Sequence, residues 1–373
     1  MSILIIAAAP GLRAGAWEEF MVSDSTDDQE LPDVYDGIIA WQQFMTDYGD
    51  YDIYAADHSD PADPWVFVVA DFEADQMNPA IFKNVIVWQD YVETDWDIYA
   101  ADITDQGALD VFAVATVADN DEQTPAISGN TVLWQDGAAG DLNIYGADVT
   151  DHYSPVEFLV TDSEQDQHAP VVGRMTAVWQ DNYYGDEDIF LADIWQRNEP
   201  AESTLPYFDY NQQGHAISGE TIVWQDDRTG DWDIYAADIS GAGSIEEFVV
   251  AGAKSDSTNP DIDENIIVWQ DNRYGNWDIF AYNLTTRTEF YITDSTGNEI
   301  NPAISGNLVV WQDDRNGNWN IYAMTLDGPQ VAKCTSAIDG DANGDCKLDL
   351  VDFALLASKW LGCNLEPQEA CWR

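Results

Sequence analysis

The chain is poor in positive charge. Of 373 residues only 13 are Lys or Arg, against 70 Asp or Glu, for a formal charge of −57. A surface of that sign repels phosphate backbones, so nucleic acid is excluded as a partner. The same excess suits salt-rich surroundings, where screening tempers self-repulsion, and it suits divalent cations. No cysteine precedes Cys334, which rules out a disulfide framework or a thiolate zinc site in most of the chain. No apolar run is long enough to cross a bilayer as a helix, so no membrane span is expected in the mature chain. The four histidines, His58, His152, His168 and His215, are dispersed, and no nucleophile-elbow or zincin pattern occurs. No catalytic residue can be named, because a pair of acid and base carboxylates cannot be singled out among 70. Helical period is also missing ahead of Cys334, where turn signals and short β-branched runs take its place.

What is present is enough to fold: 45% of the residues are hydrophobic and 12% aromatic. Residues 1–16, MSILIIAAAPGLRAGA, hold a short apolar run and then Ala14-Gly15-Ala16. That pattern fits a signal peptide whose basic start is missing and predicts export, to the extracellular space, the cell surface or the periplasm.

Trp-Gln recurs at Trp41, Trp88, Trp134, Trp179, Trp224, Trp269 and Trp311, an interval of roughly 45 residues that marks a repeat architecture. Each copy runs from a β-branched strand through a polar turn, with Gly in six, into Ile-Tyr or Ile-Phe. Four short strands per unit of about 45 residues predict propeller blades. The fold class expected is all-β: a seven-bladed propeller of four-stranded blades. The last unit has three clear strands, while Glu19-Phe20-Met21-Val22-Ser23-Asp24-Ser25 repeats the fourth-strand pattern of Glu289–Ser295. The N-terminal strand should therefore close the last blade, with residues 328–334 as the competing candidate.

The hairpin Gln-Asp-x-Arg-x-Gly-x-Trp-Asp-Ile-Tyr, clearest at 225–235 and 270–280, resembles the repeat of TolB-type β-propellers. The resemblance covers roughly residues 17–333. It implies a propeller that serves as a protein-binding platform or as an accessory domain of a hydrolase. The recurrent residues are expected to be structural: Gly at positive φ, Trp in the wedge between blades, and Asp and Arg paired or bonded to turns. Tyr183, Tyr184, Tyr274 and Trp195 do not repeat, which makes them the better sugar-stacking residues. Second-to-third hairpins and interblade links should share one face. Asp226, Asp227, Asp231, Asp313, Asp314, Asp186, Glu187 and Asp188 from hairpins, with Asp24, Asp27, Asp28, Glu30, Asp119, Asp121, Glu122, Asp162, Glu164 and Asp166 from links, predict a strongly negative face. A cationic or carbohydrate ligand is expected there.

Residues 334–373 change character. Asp341, Asn343, Asp345, Asp349 and Asp352 stand at positions 1, 3, 5, 9 and 12 of a twelve-residue calcium loop, and Lys347 at position 7 offers its backbone carbonyl. Phe353, Leu356 and Trp360 fall on one side of a following helix, completing an EF-hand-like loop-helix module. This segment is similar to one calcium-binding repeat of a dockerin, especially the Cys-containing versions ending large secreted proteins of planctomycete-like bacteria. The resemblance implies Ca2+ as the cofactor and a cohesin-like or cell-surface protein as the partner. It departs from the pattern at Cys346, where Gly is usual, and in having a single loop. Cys334, Cys346, Cys363 and Cys371 permit three disulfide pairings; Cys346 with Cys363 and Cys334 with Cys371 is preferred, clipping loop to helix end and tying the module's termini. A zinc site is the alternative, although no Cys-x-x-Cys spacing occurs.

The chain thus divides into a signal peptide (1–16), a propeller (17–333) and a dockerin-like module (334–373). The function expected is secreted, non-catalytic, monomeric binding or scaffolding, tethered by calcium to a cell surface or a polysaccharide-degrading complex. A polysaccharide hydrolase or lyase with its site over the channel is the alternative, and a purely structural surface protein is the third.

Overall fold

In the computed structural model every Trp-Gln repeat folds into one antiparallel sheet. The structure describes residues 19–326, apart from 60–63, 138–139, 162, 164, 196–200, 207–209, 242–244 and 253. The expected signal peptide, all four cysteines, the six calcium-loop residues and the alternative closing segment 328–334 lie outside the described residues.

The described residues form 28 strands in seven sheets of four. Blades 1 to 6 span residues 29–70, 76–115, 122–159, 167–204, 212–251 and 257–291. Blade 7 combines three strands from 299–325 with Glu19–Met21. Glu19 pairs with Met324, Phe20 with Ala323 and Met21 with Tyr322, so the N-terminal strand closes the ring as the sequence predicts. Arg315 adds an ion pair to Glu19 across the seam.

The stretch of each second strand around Trp-Gln is buried, as in Leu308–Asp313, because neighbouring blades cover both faces of the sheet. All seven repeat tryptophans are buried. Trp88 shares a core cluster with Ile53 and Phe67 of blade 1, and Trp224 with Val178 and Ile189 of blade 4. Each also stacks on the aromatic opposite it in the third strand, at centroid distances of 6.1–6.4 Å. Shape and dispersion both require a large flat ring at this wedge, which is why Trp recurs.

The hairpin glycines occupy the left-handed region, Gly230 at φ +99° and Gly317 at +94°. Blade 2, which has Thr94 there, turns with Glu93 at φ +57° instead.

Candidate functional site

The axis of the ring is lined by the seven first strands, which enclose a channel of about 690 Å³. Each first strand carries a bulge. Its bulged residue, Leu31, Asn78, Thr124, Ala169, Gly214, Asn259 or Asn301, sits at φ between +49° and +53°. Glycine, and after it asparagine, adopts that conformation most readily, and the freed N–H must find an acceptor. The acceptor is the Gln of Trp-Gln in the preceding blade. Gln42 accepts from Asn78, Gln89 from Thr124, Gln135 from Ala169, Gln180 from Gly214, Gln225 from Asn259, Gln270 from Asn301 and Gln312 from Leu31, at 2.8–3.2 Å. The buried Gln is thus a blade-to-blade tie repeated around the channel.

Two carboxylates interrupt an otherwise small and apolar layer of the channel wall. Asp33 and Asp261 stand where the other blades have Ala80, Ala126, Val171, Ala216 and Ala303. Each bonds the backbone of the next blade, Asp33 to the Ile81 N–H and Asp261 to the Ile304 N–H, both at 2.8 Å. Desolvation outweighs those bonds and raises Asp33 to about 7 and Asp261 to about 6. His215 replaces the proline found at this register in the other six blades, and burial pushes it down to about 4. Serines line the channel with His215, Ser218 among them, but neither ring nitrogen of His215 is hydrogen-bonded to one, so no nucleophile and base pair is formed there.

Links and second-to-third hairpins do share one face. Asp28, Asp75, Asp121, Asp166, Asn211, Asp256 and Asn298 of the links accept from backbone N–H groups of the preceding blade's hairpin at 2.9–3.4 Å. Part of the acidity of this face is therefore mortar. Of the residues expected on it, Asp226, Asp313, Asp188 and Glu122 are instead buried, because each is the terminal residue of a strand paired within the sheet and not a loop residue; Asp162 and Glu164 lie outside the described residues. Arg228 pairs with Asp226 and Glu247, Arg273 with Asp271 and Glu289, and Arg315 with Asp313 and Glu19. Each guanidinium also lies over an aromatic ring, 4.1–4.5 Å from its centroid. Burial alone would raise the Asp271 carboxyl, but Arg273 holds it below its usual value.

The remaining surface of that face mixes carboxylate with aromatic ring. Asp24, Asp47, Asp71, Glu73, Glu93, Asp119, Asp121, Asp141, Asp166, Asp231 and Asp294 are exposed there. Beside them are Tyr48, Phe72, Tyr91, Tyr183, Tyr184, Tyr210 and Tyr274, with Tyr48 80% exposed. Of the four rings singled out in the sequence, the structure brings Tyr183, Tyr184 and Tyr274 to this face; Trp195 follows a third strand and lies on the opposite one. The opposite face also bears carboxylates, including Asp36, Asp105, Asp151 and Glu264, so acidity is not confined to one side. It differs in carrying Lys83, Arg174 and Arg287 on its hairpins. Apart from the three paired arginines, the described link face has Lys254 and His168 as its basic side chains, His168 facing Glu187 at 3.3 Å.

No protein-family model and no curated protein matches the chain. Solved structures do match. A puromycin-hydrolyzing peptidase of Mycobacterium tuberculosis overlaps 86% of the chain at 13% identity and a TM-score of 0.62. The chain spans about half of that peptidase, 55% of its length. Oligogalacturonate lyase from Vibrio parahaemolyticus matches over 85% of this chain and 99% of its own, at 8% identity and a TM-score of 0.61. TolB from Acinetobacter baumannii matches over 68% of this chain and 62% of its own, at 16% identity and a TM-score of 0.48. At identities this low the peptidase and the lyase show a shared propeller fold and leave function to the site.

Proposed function

We propose that the chain is an exported, non-catalytic binding propeller whose link face holds a cationic partner, and that residues 334–373 tether it through calcium. The observation that carries this reading is the mixture of seven exposed aromatic rings with exposed carboxylates on one face. Carboxylates attract a basic partner over long range, and tyrosine faces add cation–π contact and apolar area at close range. The tether rests on the resemblance of Asp341, Asn343, Asp345, Lys347, Asp349 and Asp352 to a dockerin calcium loop, with a cohesin-like or cell-surface protein as its partner.

The test is binding of an arginine-rich peptide to the full chain across a salt series. Affinity should fall steeply between 50 and 500 mM salt, roughly tenfold or more for several neutralised charges, and again in Tyr183→Ala with Tyr184→Ala. Salt-insensitive binding would overturn the electrostatic reading, and equal binding of a neutral oligosaccharide would point to sugar stacking instead.

A second reading is supported by Asp33 and Asp261 in the channel wall: a polysaccharide hydrolase or lyase using raised carboxyls as acid and base. Its signature would be polysaccharide turnover lost in Asp33→Asn or Asp261→Asn with the fold retained. Turnover unchanged in both variants would refute it.

A further inference from the structure

Every blade carries a cross-strand triplet of polar side chains just beneath the link face. In blade 4 it is Gln167, Asp181 and Asp188, in register across the first three strands. In blade 7 it is Glu299, Asp313 and Asn320. In the blade 7 triplet Arg315 pairs with Asp313, and the Asn320 carboxamide donates to the Ser25 carbonyl at 3.0 Å, while one oxygen of Glu299 stays unpartnered. In blade 6, Arg273 serves Asp271 and Asn276 donates to Asp278 at 3.1 Å. In blade 5, Arg228 serves Asp226 and the Thr229 hydroxyl donates to Asp233 at 2.6 Å.

Blade 4 has lost these donors. Tyr183 stands in place of the arginine, Asp186 in place of Asn276, and Asp188 in place of Asn320. Asp188 is 1% exposed, and neither carboxylate oxygen has a partner. Gln167, 0% exposed, turns its carboxamide to Asp181 and leaves its own oxygen unpartnered. The groups facing Asp188 are Asp186, Asp181, Glu187 and Asp226, all of one sign. Glu202 faces Asp181 from the fourth strand, and the basic side chain acting on Asp181 is His168, which lies 3.3 Å from Glu187. Among the described residues no group of three His, Cys, Asp or Glu side chains is set for a metal; this triplet has two carboxylates and a carboxamide in register.

We infer that blade 4 binds a hard divalent cation of calcium size through Asp181, Asp188 and the Gln167 carbonyl oxygen, in the role that arginine fills in blades 5 to 7. Oxygen-only donors of this kind suit calcium, which accepts mixed carboxylate, carboxamide and water ligands. A buried carboxylate with neither proton nor counter-charge is costly, and the cation removes that cost.

The test is calorimetric titration of calcium chloride into the full chain carrying Asp341→Ala and Asp345→Ala, which silences the C-terminal loop. Two further variants are compared in that background. Asp188→Asn restores the blade 7 residue, and Tyr183→Arg installs the guanidinium of blades 5 to 7. Each should lose one equivalent of bound calcium, and each should lose the rise in unfolding temperature that calcium gives the parent. Should Asp188→Asn fail to fold, Tyr183→Arg decides alone. An unchanged equivalent count in the folded variants, or a parent that binds no calcium, would overturn the inference.

Discussion

Gln312 accepts the backbone N–H of Leu31 at 3.0 Å across 281 residues of sequence, and the same oxygen takes the Asn301 carboxamide at 2.8 Å. One buried glutamine thus joins the last blade to the first. Gln312→Leu orphans both donors and should cost about 1–3 kcal/mol in urea unfolding. Gln312→Glu keeps the acceptor and should lose less at neutral pH. Equal losses for the two would show that the tie contributes nothing.

Glu122 stands where blades 1, 2, 4 and 5 have Gln29, Gln76, Gln167 and Gln212, and it is fully buried. Burial, with Asp136 close by, raises it from 4.5 to about 8. A raised folded value means that the native state keeps a proton which the unfolded chain has released. Stability from this group is therefore complete below about 4.5 and is lost as pH rises towards 8, by at most about 1.4 kcal/mol per pH unit. Glu122→Gln should flatten that fall and exceed the parent at pH 8.5 in urea midpoint; parallel pH profiles would contradict it.

Arg228 neutralises Asp226, which has no exposure of its own. Arg228→Met leaves that charge buried and should cost about 3–5 kcal/mol, with Asp226→Asn in the same chain recovering part of the loss. An additive double variant would mean that the pair acts through packing alone.

Removal of calcium by chelation should release one tight site belonging to residues 341–352. Calorimetry on Asp341→Ala with Asp345→Ala should show the loss of that equivalent. Tight binding unchanged in this variant would remove the main support for a calcium tether.

Much of the ring was readable from the chain itself. Trp-Gln spacing carries the blade count, and the likeness of 19–25 to 289–295 carries the closure. What escaped is instructive. Gln42 and its six counterparts read as part of a packing motif, because their partners are bulged backbone N–H groups and nothing in Leu31, Thr124 or Ala169 marks a left-handed residue. A glutamine that recurs with the tryptophan was the available signal. The shared face was legible, but its full set of aromatic rings escaped for a different reason. Tyr48, Tyr91, Tyr183 and Tyr274 belong to separate hairpins, and exposure in the folded ring is what separates them from packing rings, whereas Trp195 looked equivalent to Tyr183 and falls on the other side. Asp188 was read as surface acid since a strand-end carboxylate and a loop carboxylate look alike in sequence.

The closing strand also sets an order of events in time. Glu19–Met21 is the first blade strand to be made, yet its partner Asn320–Thr325 is the last. Until then the first blade lacks its neighbour and Trp41 lacks Val310, Ile321 and Ala323, with which it shares a core cluster. Contacts so distant in sequence are slow to form, so a chain folding as it is made stays open, and unable to present its finished face, until nearly the whole propeller has emerged.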